Sequence, residues 1–222
     1  MAKNTKAKKK ITEDDIITMY MDFVLEHETV PKSIYKFCKV NDIGEQEFYA
    51  YFGSVKGIQK AIWNKFYSKT EGLLLKNKAY ESFSNKEKML TFFYTFFEML
   101  TLNRSYVLFS LKEHRGRDVL KNLEQLKGLR GHIKTFAADL IDDGNADKKR
   151  KITQHNPSIF SEGAWLQFLF VLKFWINDSS PGFEKTDIVI EKSINTIFDV
   201  FDHTPLENII DFGKFLYKET FA

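Results

Sequence analysis

Apolar residues recur every three or four positions along most of the chain, which is the spacing of one face of an α-helix. The first helix is predicted to begin near Glu13, because Thr12 and Asp15 have the spacing of an N-cap and an acidic first turn. It is predicted to end near His27. No segment shows a convincing strand pattern, so the sequence predicts an all-α protein.

Two short helical segments follow, with a tight turn between them. Ser33 is predicted to begin the second helix, after Pro31, and the third is predicted over residues 44–50. Asn41 and Asp42 suit the turn because both residue types tolerate unusual backbone angles. Two short helices around a tight turn, packed on a longer helix, describe a helix-turn-helix.

Longer apolar helices are predicted for the rest of the chain. The fourth begins after the cap Ser54, and the fifth opens at residues 85–87. Because the fifth is apolar over most of its circumference, it must be central or line a cavity. Gly128 and Gly131 argue against a straight seventh helix. The remaining predicted helices cover residues 106–111, 119–141, 158–177 (capped by Ser158), 188–201 and 205–219.

The helix over residues 158–177 is apolar on two opposite sides. A soluble helix of this kind needs its own core and a second partner, most simply another copy of the chain. The two faces consist of Trp165, Phe168, Leu169, Leu172, Trp175 and Ile176 on one side and of Leu166, Phe170, Val171 and Phe174 on the other.

Composition limits the classes of function. With 222 residues, 43% of them hydrophobic, the chain can bury a core, and a net charge of only +3 argues against a general nucleic-acid binder. The single cysteine, Cys38, excludes an internal disulfide and suits a cytoplasmic location. The most apolar run, 164–176, contains Gln167 and Lys173 and is shorter than the roughly 20 residues of a membrane span. We therefore expect no membrane association.

Two lysine-rich segments have open interpretations. The leader, residues 1–10, carries five lysines and is either a solubilising tail or an arm that neutralises DNA phosphates. The basic run 148–151 favours a solvated loop over a binding patch.

Residues 48–54, Phe-Tyr-Ala-Tyr-Phe-Gly-Ser, followed by Gly57 and Ile58, resemble the end of the DNA-binding domain of TetR-type bacterial transcriptional repressors. That family has a similar aromatic motif before a loop and a long fourth helix. The resemblance implies an N-terminal three-helix domain with a helix-turn-helix, residues 1–55, and a larger ligand-sensing and dimerisation bundle, residues 56–222.

The resemblance also implies three sets of site residues. In the first set, Lys32 and Ser33 would hold the DNA backbone, Tyr49 would reach a phosphate, and Gln46 would read a base. Tyr49 and Tyr51 could instead brace the helix junction without touching DNA. The pocket aromatics could equally be plain core. The candidate DNA contacts are Lys32, Ser33, Gln46, Tyr49, Tyr51 and Lys56. The candidate ligand contacts are Phe93, Phe97, Tyr106, Phe136 and Trp165. The candidate dimer contacts are Phe168, Leu172, Trp175, Ile190, Ile194, Ile197 and Phe201.

Two functional hypotheses follow. The first is a homodimeric regulator that binds a double-stranded DNA operator as a repressor and is released by a small hydrophobic ligand. The second, motivated by Glu45 and Glu47 at the start of the third helix, is a TetR-fold protein that binds a lipid or protein partner without reading DNA. The five histidines are scattered without metal-ligand spacing, and no phosphate-binding glycine loop is present, so we expect no enzyme, metal or cofactor.

Overall fold

A computed structural model describes residues 10–112, 123–146 and 156–203, together with Phe215. These residues contain nine α-helices and no strand, which confirms the all-α prediction. Short 3₁₀ turns cover Tyr80–Ser82, Leu123–Leu126 and Pro181–Phe183. The helices are α1 (Glu13–His27), α2 (Ile34–Val40), α3 (Glu45–Tyr49), α4 (Val55–Leu74), α5 (Asn85–Leu102), α6 (Arg104–Lys112), α7 (Lys127–Ala146), α8 (Pro157–Asn177) and α9 (Glu184–His203).

Three predicted segments lie wholly or mainly outside the described residues. They are the leader up to residue 9, the basic run 148–151 and the last predicted helix, 205–219, of which only Phe215 is described.

Local capping signals gave the starts of α1 and α4 correctly. The Thr12 hydroxyl accepts a hydrogen bond from the Asp15 backbone at 3.2 Å, and the Asp15 carboxylate accepts one from the Thr12 backbone at 2.9 Å. The Ser54 hydroxyl accepts from the Gly57 backbone at 3.0 Å. Both caps satisfy N–H groups that have no partner within the helix.

The predicted cap of α8 was wrong by two residues. The side chain of Asn156, not of Ser158, caps the helix and accepts from the Ser158 backbone at 2.9 Å and from the Ile159 backbone at 3.4 Å. Pro157 is the first helical residue, where its missing N–H and fixed φ are favourable. The asparagine-proline pair was therefore the stronger signal.

The buried residues form one continuous cluster that extends from α1 to α9. Helix α5 is central to it, as its pattern predicted: Phe92, Phe93, Phe96 and Phe97 are each at most 3% exposed. Their rings lie in edge or stacked contacts with one another and with Phe168 of α8. The four phenylalanine rings of α5 thus form the centre of the core.

Gly128 allows the first turn of α7 to approach α4 closely. A Cβ at this position would lie 2.3 Å from Oδ1 of Asn64, whereas a Cβ at Gly131 would meet no atom within 4 Å. α7 runs without interruption over both glycines. Gly128 therefore allows close packing between helices, and neither glycine interrupts α7.

Arg104, the first residue of α6, ties α6 to the end of α8. Its guanidinium donates to the carbonyl oxygens of Trp175 (3.1 Å), Ile176 (3.2 Å) and Asp178 (3.3 Å). It also lies 4.4 Å from the ring centroids of Trp175 and Phe183. The last carbonyls of α8 lack partners within the helix, so a cation at this position stabilises the helix end.

We expect Arg104→Ala to lower the free energy of unfolding by about 3 kcal/mol. Hydrogen bonds from a charged donor contribute about 1.5–3 kcal/mol, and a partly desolvated cation–π contact contributes about 1–2 kcal/mol more. Urea unfolding followed by circular dichroism, at one protein concentration, measures the change.

Arg130→Ala is the matched control. Arg130 is an exposed arginine of α7 that pairs with Glu162 at 3.0 Å, and exposed pairs of this kind contribute about 0–1 kcal/mol. Equal losses in the two variants would contradict the anchoring role of Arg104.

Candidate DNA-binding and ligand-sensing sites

The turn between α2 and α3 has the geometry of a helix-turn-helix. Asp42 occupies the left-handed region with φ of 51°, which aspartate tolerates better than most residues. The Ile43 backbone donates to the Cys38 carbonyl at 3.0 Å and closes the turn. Phe37 of α2 and Phe48 of α3 meet edge to face at 5.9 Å and fix the angle between the two helices.

The exposed side of α3 carries the residues that would enter a DNA groove. Gln46 is exposed, and Tyr49 is 52% exposed. The carboxylate of Glu47 turns back and accepts a hydrogen bond from the Gly44 backbone at 2.7 Å, whereas Glu45 is exposed. Glu47 therefore caps its own helix, and of the two acidic residues it is Glu45 that would face DNA.

The other candidate DNA contacts surround α3. Lys32 is exposed, and the hydroxyl of Ser33 caps α2 by accepting from the Lys36 backbone at 3.2 Å. The hydroxyl of Tyr51 donates to the Ile11 carbonyl at 3.1 Å. Tyr51 therefore braces the end of α3 against the segment that leads into α1, which was the alternative role given to it by the sequence.

Helix α2 adds exposed residues that the sequence analysis missed. Tyr35 is 58% exposed, and Lys36 and Lys39 are exposed on the same short helix. The signal was available in principle, because an exposed tyrosine among lysines is a common nucleic-acid-binding composition. Lys36 and Lys39, together with Lys32 just before the helix, make α2 and its N-terminal end the most basic described surface of the helix-turn-helix.

The charge balance of the N-terminal segment depends on the leader. Residues 1–56 contain nine lysines and nine acidic residues, and five of the lysines lie in residues 1–10. Without the leader, the helix-turn-helix segment would carry a net negative charge. A DNA phosphate would then be repelled at long range.

Cys38 is a buried core thiol beneath the turn. It is 2% exposed, and burial, reinforced by the charges of Glu45 and Glu47, raises its pKa. The thiol is therefore protonated and unreactive at neutral pH. Among the residues that the structure describes, no three His, Cys, Asp or Glu side chains are placed to hold a metal ion.

Three of the candidate ligand contacts come together in the core. Phe97 and Trp165 pack on Phe168 with ring centroids 5.8 and 5.3 Å away, and Phe93 stacks on Phe97 at 6.3 Å. In this conformation the rings fill the space between α5 and α8. A ligand among them would have to separate these rings.

The other two candidate ligand contacts lie elsewhere. Phe136 of α7 packs on Phe92 at 4.7 Å. Tyr106 of α6 meets Tyr20 of α1 at 6.4 Å and is 1% exposed. Tyr106 thus lies at the contact between α6 and the first helix of the helix-turn-helix segment.

Helix α4 carries three buried side-chain polar atoms that have no hydrogen-bond partner among the described residues: Trp63 Nε1, Asn64 Oδ1 and Thr70 Oγ1. They lie on either side of Tyr67, whose ring contacts Phe92 of α5 and His132 of α7. A buried polar atom without a partner costs about 1–3 kcal/mol, so a water or ligand atom that paired with it would be stabilised.

The candidate dimer contacts require correction. Phe168, Leu172, Trp175, Ile190 and Ile194 are all 0% exposed within a single chain, so a second chain cannot contact them in this conformation. Ile197 is partly buried against the same core, and the side chain of Phe201 lies outside the described part. The face predicted for the dimer is the core face of α8.

The opposite face of α8 is the accessible one, except for Val171, which the sequence assigned to this face but which is 0% exposed. Phe170 is 48% exposed, Leu166 and Phe174 are partly exposed, and Ile188 of α9 is 48% exposed. A groove of about 480 Å³ lies at the turn between these two helices. We call it the α8–α9 groove. It is lined by Phe170, Lys173, Phe174, Asn177, Asp178, Ser179 and Lys185.

Asp178 fixes the turn below this groove. Its carboxylate accepts hydrogen bonds from the backbone N–H and the hydroxyl of both Ser180 and Thr186. These hydrogen bonds outweigh the effect of burial and lower the pKa of Asp178 to about 2. The turn is therefore stabilised at neutral pH, and this contribution is lost as the pH falls from about 4 to about 2.

Among the described residues, one helix is long and apolar enough to cross a membrane. It is α8, and 56% of its most apolar window is buried inside the protein. Its apolar character is explained by the core on one side and the exposed Phe170 face on the other.

The fold defines a class of protein in which an N-terminal helix-turn-helix precedes a larger helical bundle. The family model described as tetracyclin repressor-like, C-terminal domain, matches residues 88–216, more than half of the chain. The chain therefore belongs to the TetR family, as its N-terminal motif predicted. No curated protein and no solved structure matches it.

Proposed function

We propose that this protein is a homodimeric, cytoplasmic transcriptional regulator that binds a DNA operator and is released from it by a small hydrophobic ligand. The observation that carries the proposal is the helix-turn-helix with Gln46 and Tyr49 exposed on α3, in a chain of the TetR family. Such helices enter the major groove and contact bases with their first residues.

The ligand part of the proposal is supported by the core next to α4. Phe92 of α5 and Phe136 of α7 provide apolar rings beside Tyr67 of α4, and Trp63 Nε1 and Thr70 Oγ1 provide unpartnered polar atoms among the described residues. Apolar walls with a few polar groups are typical of small-molecule sites. Mass spectrometry of the solvent-extracted protein would identify a ligand that co-purifies.

Ligand binding could reach the DNA-binding segment through α6. Tyr106 of α6 contacts Tyr20 of α1, and Gln59 of α4 donates to the Tyr20 hydroxyl at 3.0 Å. A shift of α6 or α4 would therefore move α1, on which the helix-turn-helix packs.

We expect specific binding to genomic DNA fragments, with an affinity that falls steeply as salt rises, because counterions are released from phosphates.

Gln46→Ala should weaken specific binding by about 1–3 kcal/mol and leave non-specific binding unchanged, since Gln46 would read a base. Lys32→Gln should weaken binding to all sequences and reduce the salt slope by about one. Fluorescence anisotropy across a salt series measures both effects.

Lys69→Gln is the control, since Lys69 is an exposed lysine near the far end of α4. It should bind DNA as the unmodified protein does. If no fragment binds specifically even at low salt, the regulator proposal fails. The alternative, a TetR-fold protein that binds a lipid or protein partner without reading DNA, would then be favoured.

A further inference from the structure

Glu124 bridges two lysines at the start of α4. Its carboxylate lies 3.0 Å from Nζ of Lys60 and 3.5 Å from Nζ of Lys56. The two lysines are one helical turn apart, and α4 has no acidic residue before Glu71. Lys56 is a candidate DNA contact. The Glu124 carboxylate therefore pairs with an ammonium group that a DNA phosphate would otherwise bind.

The position of Glu124 is fixed by the packing of the Leu123–Leu126 turn. Leu126 is fully buried, and the side chain of Gln125 donates to the Ser110 carbonyl of α6 at 3.1 Å. Just beyond the turn, Gly128 lies against Asn64 of α4. The carboxylate is therefore held at the two lysines by a buried framework that joins α4, α6 and α7.

The contact contributes little to stability but affects charge. Glu124 and Lys56 have side chains 52% and 75% exposed, and water screens the attraction between exposed charges. The hydrogen bond from Lys60 and the charge of Lys56 hold the pKa of the Glu124 carboxyl below its usual value, so it is ionised at neutral pH. A phosphate that approached Lys56 would meet this negative charge.

We propose that Glu124 is an autoinhibitory carboxylate that competes with DNA phosphates for Lys56 and Lys60. The inference rests on the proposed DNA-binding function and names a regulation of that site. Because Gln125 joins the turn to Ser110 of α6, a displacement of α6 would carry Glu124 with it. Movement in the bundle would then change the charge available to DNA without any change within the helix-turn-helix.

The test is Glu124→Gln, which keeps the size of the side chain and removes its charge. With a fluorescein-labelled random-sequence DNA duplex as the probe, we expect affinity to rise about 3–10-fold at low salt. The salt slope should steepen by about one to two, so that the gain shrinks at high salt. In a Lys56→Gln, Lys60→Gln background, Glu124→Gln should have no effect, because the competition no longer exists.

Glu162→Gln is the matched control. Glu162 is a partly exposed carboxylate that also pairs with two cations, Arg130 and Lys134, but it lies on α8. The control variant should bind as the unmodified protein does, and an equal gain in it would overturn the inference by showing a general charge effect. Unchanged affinity in Glu124→Gln, while the unmodified protein binds, overturns the inference alone. Absence of DNA binding in both overturns the inference and the proposed function together.

Discussion

Phe170→Glu is expected to convert a dimer of this chain into a folded monomer. Phe170 is 48% exposed on the outer face of α8 and lines the α8–α9 groove with Phe174. If a second α8–α9 pair packs there, glutamate would place an unpaired charge in an apolar contact, which costs several kcal/mol. Sedimentation velocity measures the mass, and circular dichroism shows that the helices remain.

Two further substitutions separate dimerisation from folding. Phe168→Glu should unfold the protein, because Phe168 is 0% exposed and lies between Phe97 and Trp165. Leu73→Glu, at a leucine of α4 that is 47% exposed, should leave the mass unchanged. A dimer that persists in Phe170→Glu, or a monomer in Leu73→Glu, would contradict the packing of a second chain on the Phe170 face of α8.

The orientation of α8 shows a limit of reasoning from periodicity. The sequence identified two apolar faces but assigned the core face, with Phe168 and Trp175, to the partner. Both faces are rich in aromatic residues, so hydrophobicity alone could not decide between them. The choice is made by polar partners from other helices: Trp175 Nε1 donates to Thr101 Oγ1 at 3.0 Å, and Arg104 stacks on the same indole.

Local signals, in contrast, predicted local structure well. The caps at Thr12 and Ser54 and the turn at Asp42 depend on atoms within a few residues, and all three are found in the structure. Arg104 and Glu124 could not be predicted in this way. Their partners lie 71 and 64 residues away in the chain, and only the packing of the helices brings them together.

The sequence proposed Gln46 and Tyr49 as DNA contacts, and the structure shows both side chains exposed, but the sequence did not predict the local electrostatics of α3. A groove-reading role requires this exposure. The sequence treated Glu45 and Glu47 alike, yet the Glu47 carboxylate caps α3 through the Gly44 backbone. That difference depends on a side-chain rotamer, which residue type and spacing do not determine.

We expect replacement of the five leader lysines by glutamine to weaken DNA binding by about 10-fold or more at low salt. The replaced residues are Lys3, Lys6, Lys8, Lys9 and Lys10. Without them, residues 1–56 carry four lysines against nine acidic residues. Each phosphate contact that is lost reduces the slope of log affinity against log salt by about 0.9, so the slope should flatten as the affinity falls.

The same five positions changed to arginine provide the control, because arginine keeps the charge and also binds phosphate. That variant should retain both the affinity and the salt slope. The acidic residues in the first turn of α1 do not depend on the leader for a cationic partner. Glu13 and Asp14 pair with Lys65 of α4, and the Asp14 carboxylate lies 2.6 Å from the Lys65 ammonium. They are therefore partly neutralised without the leader. If the glutamine variant binds DNA as tightly as the arginine variant, the leader is a solubilising tail, and the attraction to phosphate must come from Lys32, Lys36 and Lys39 of the helix-turn-helix.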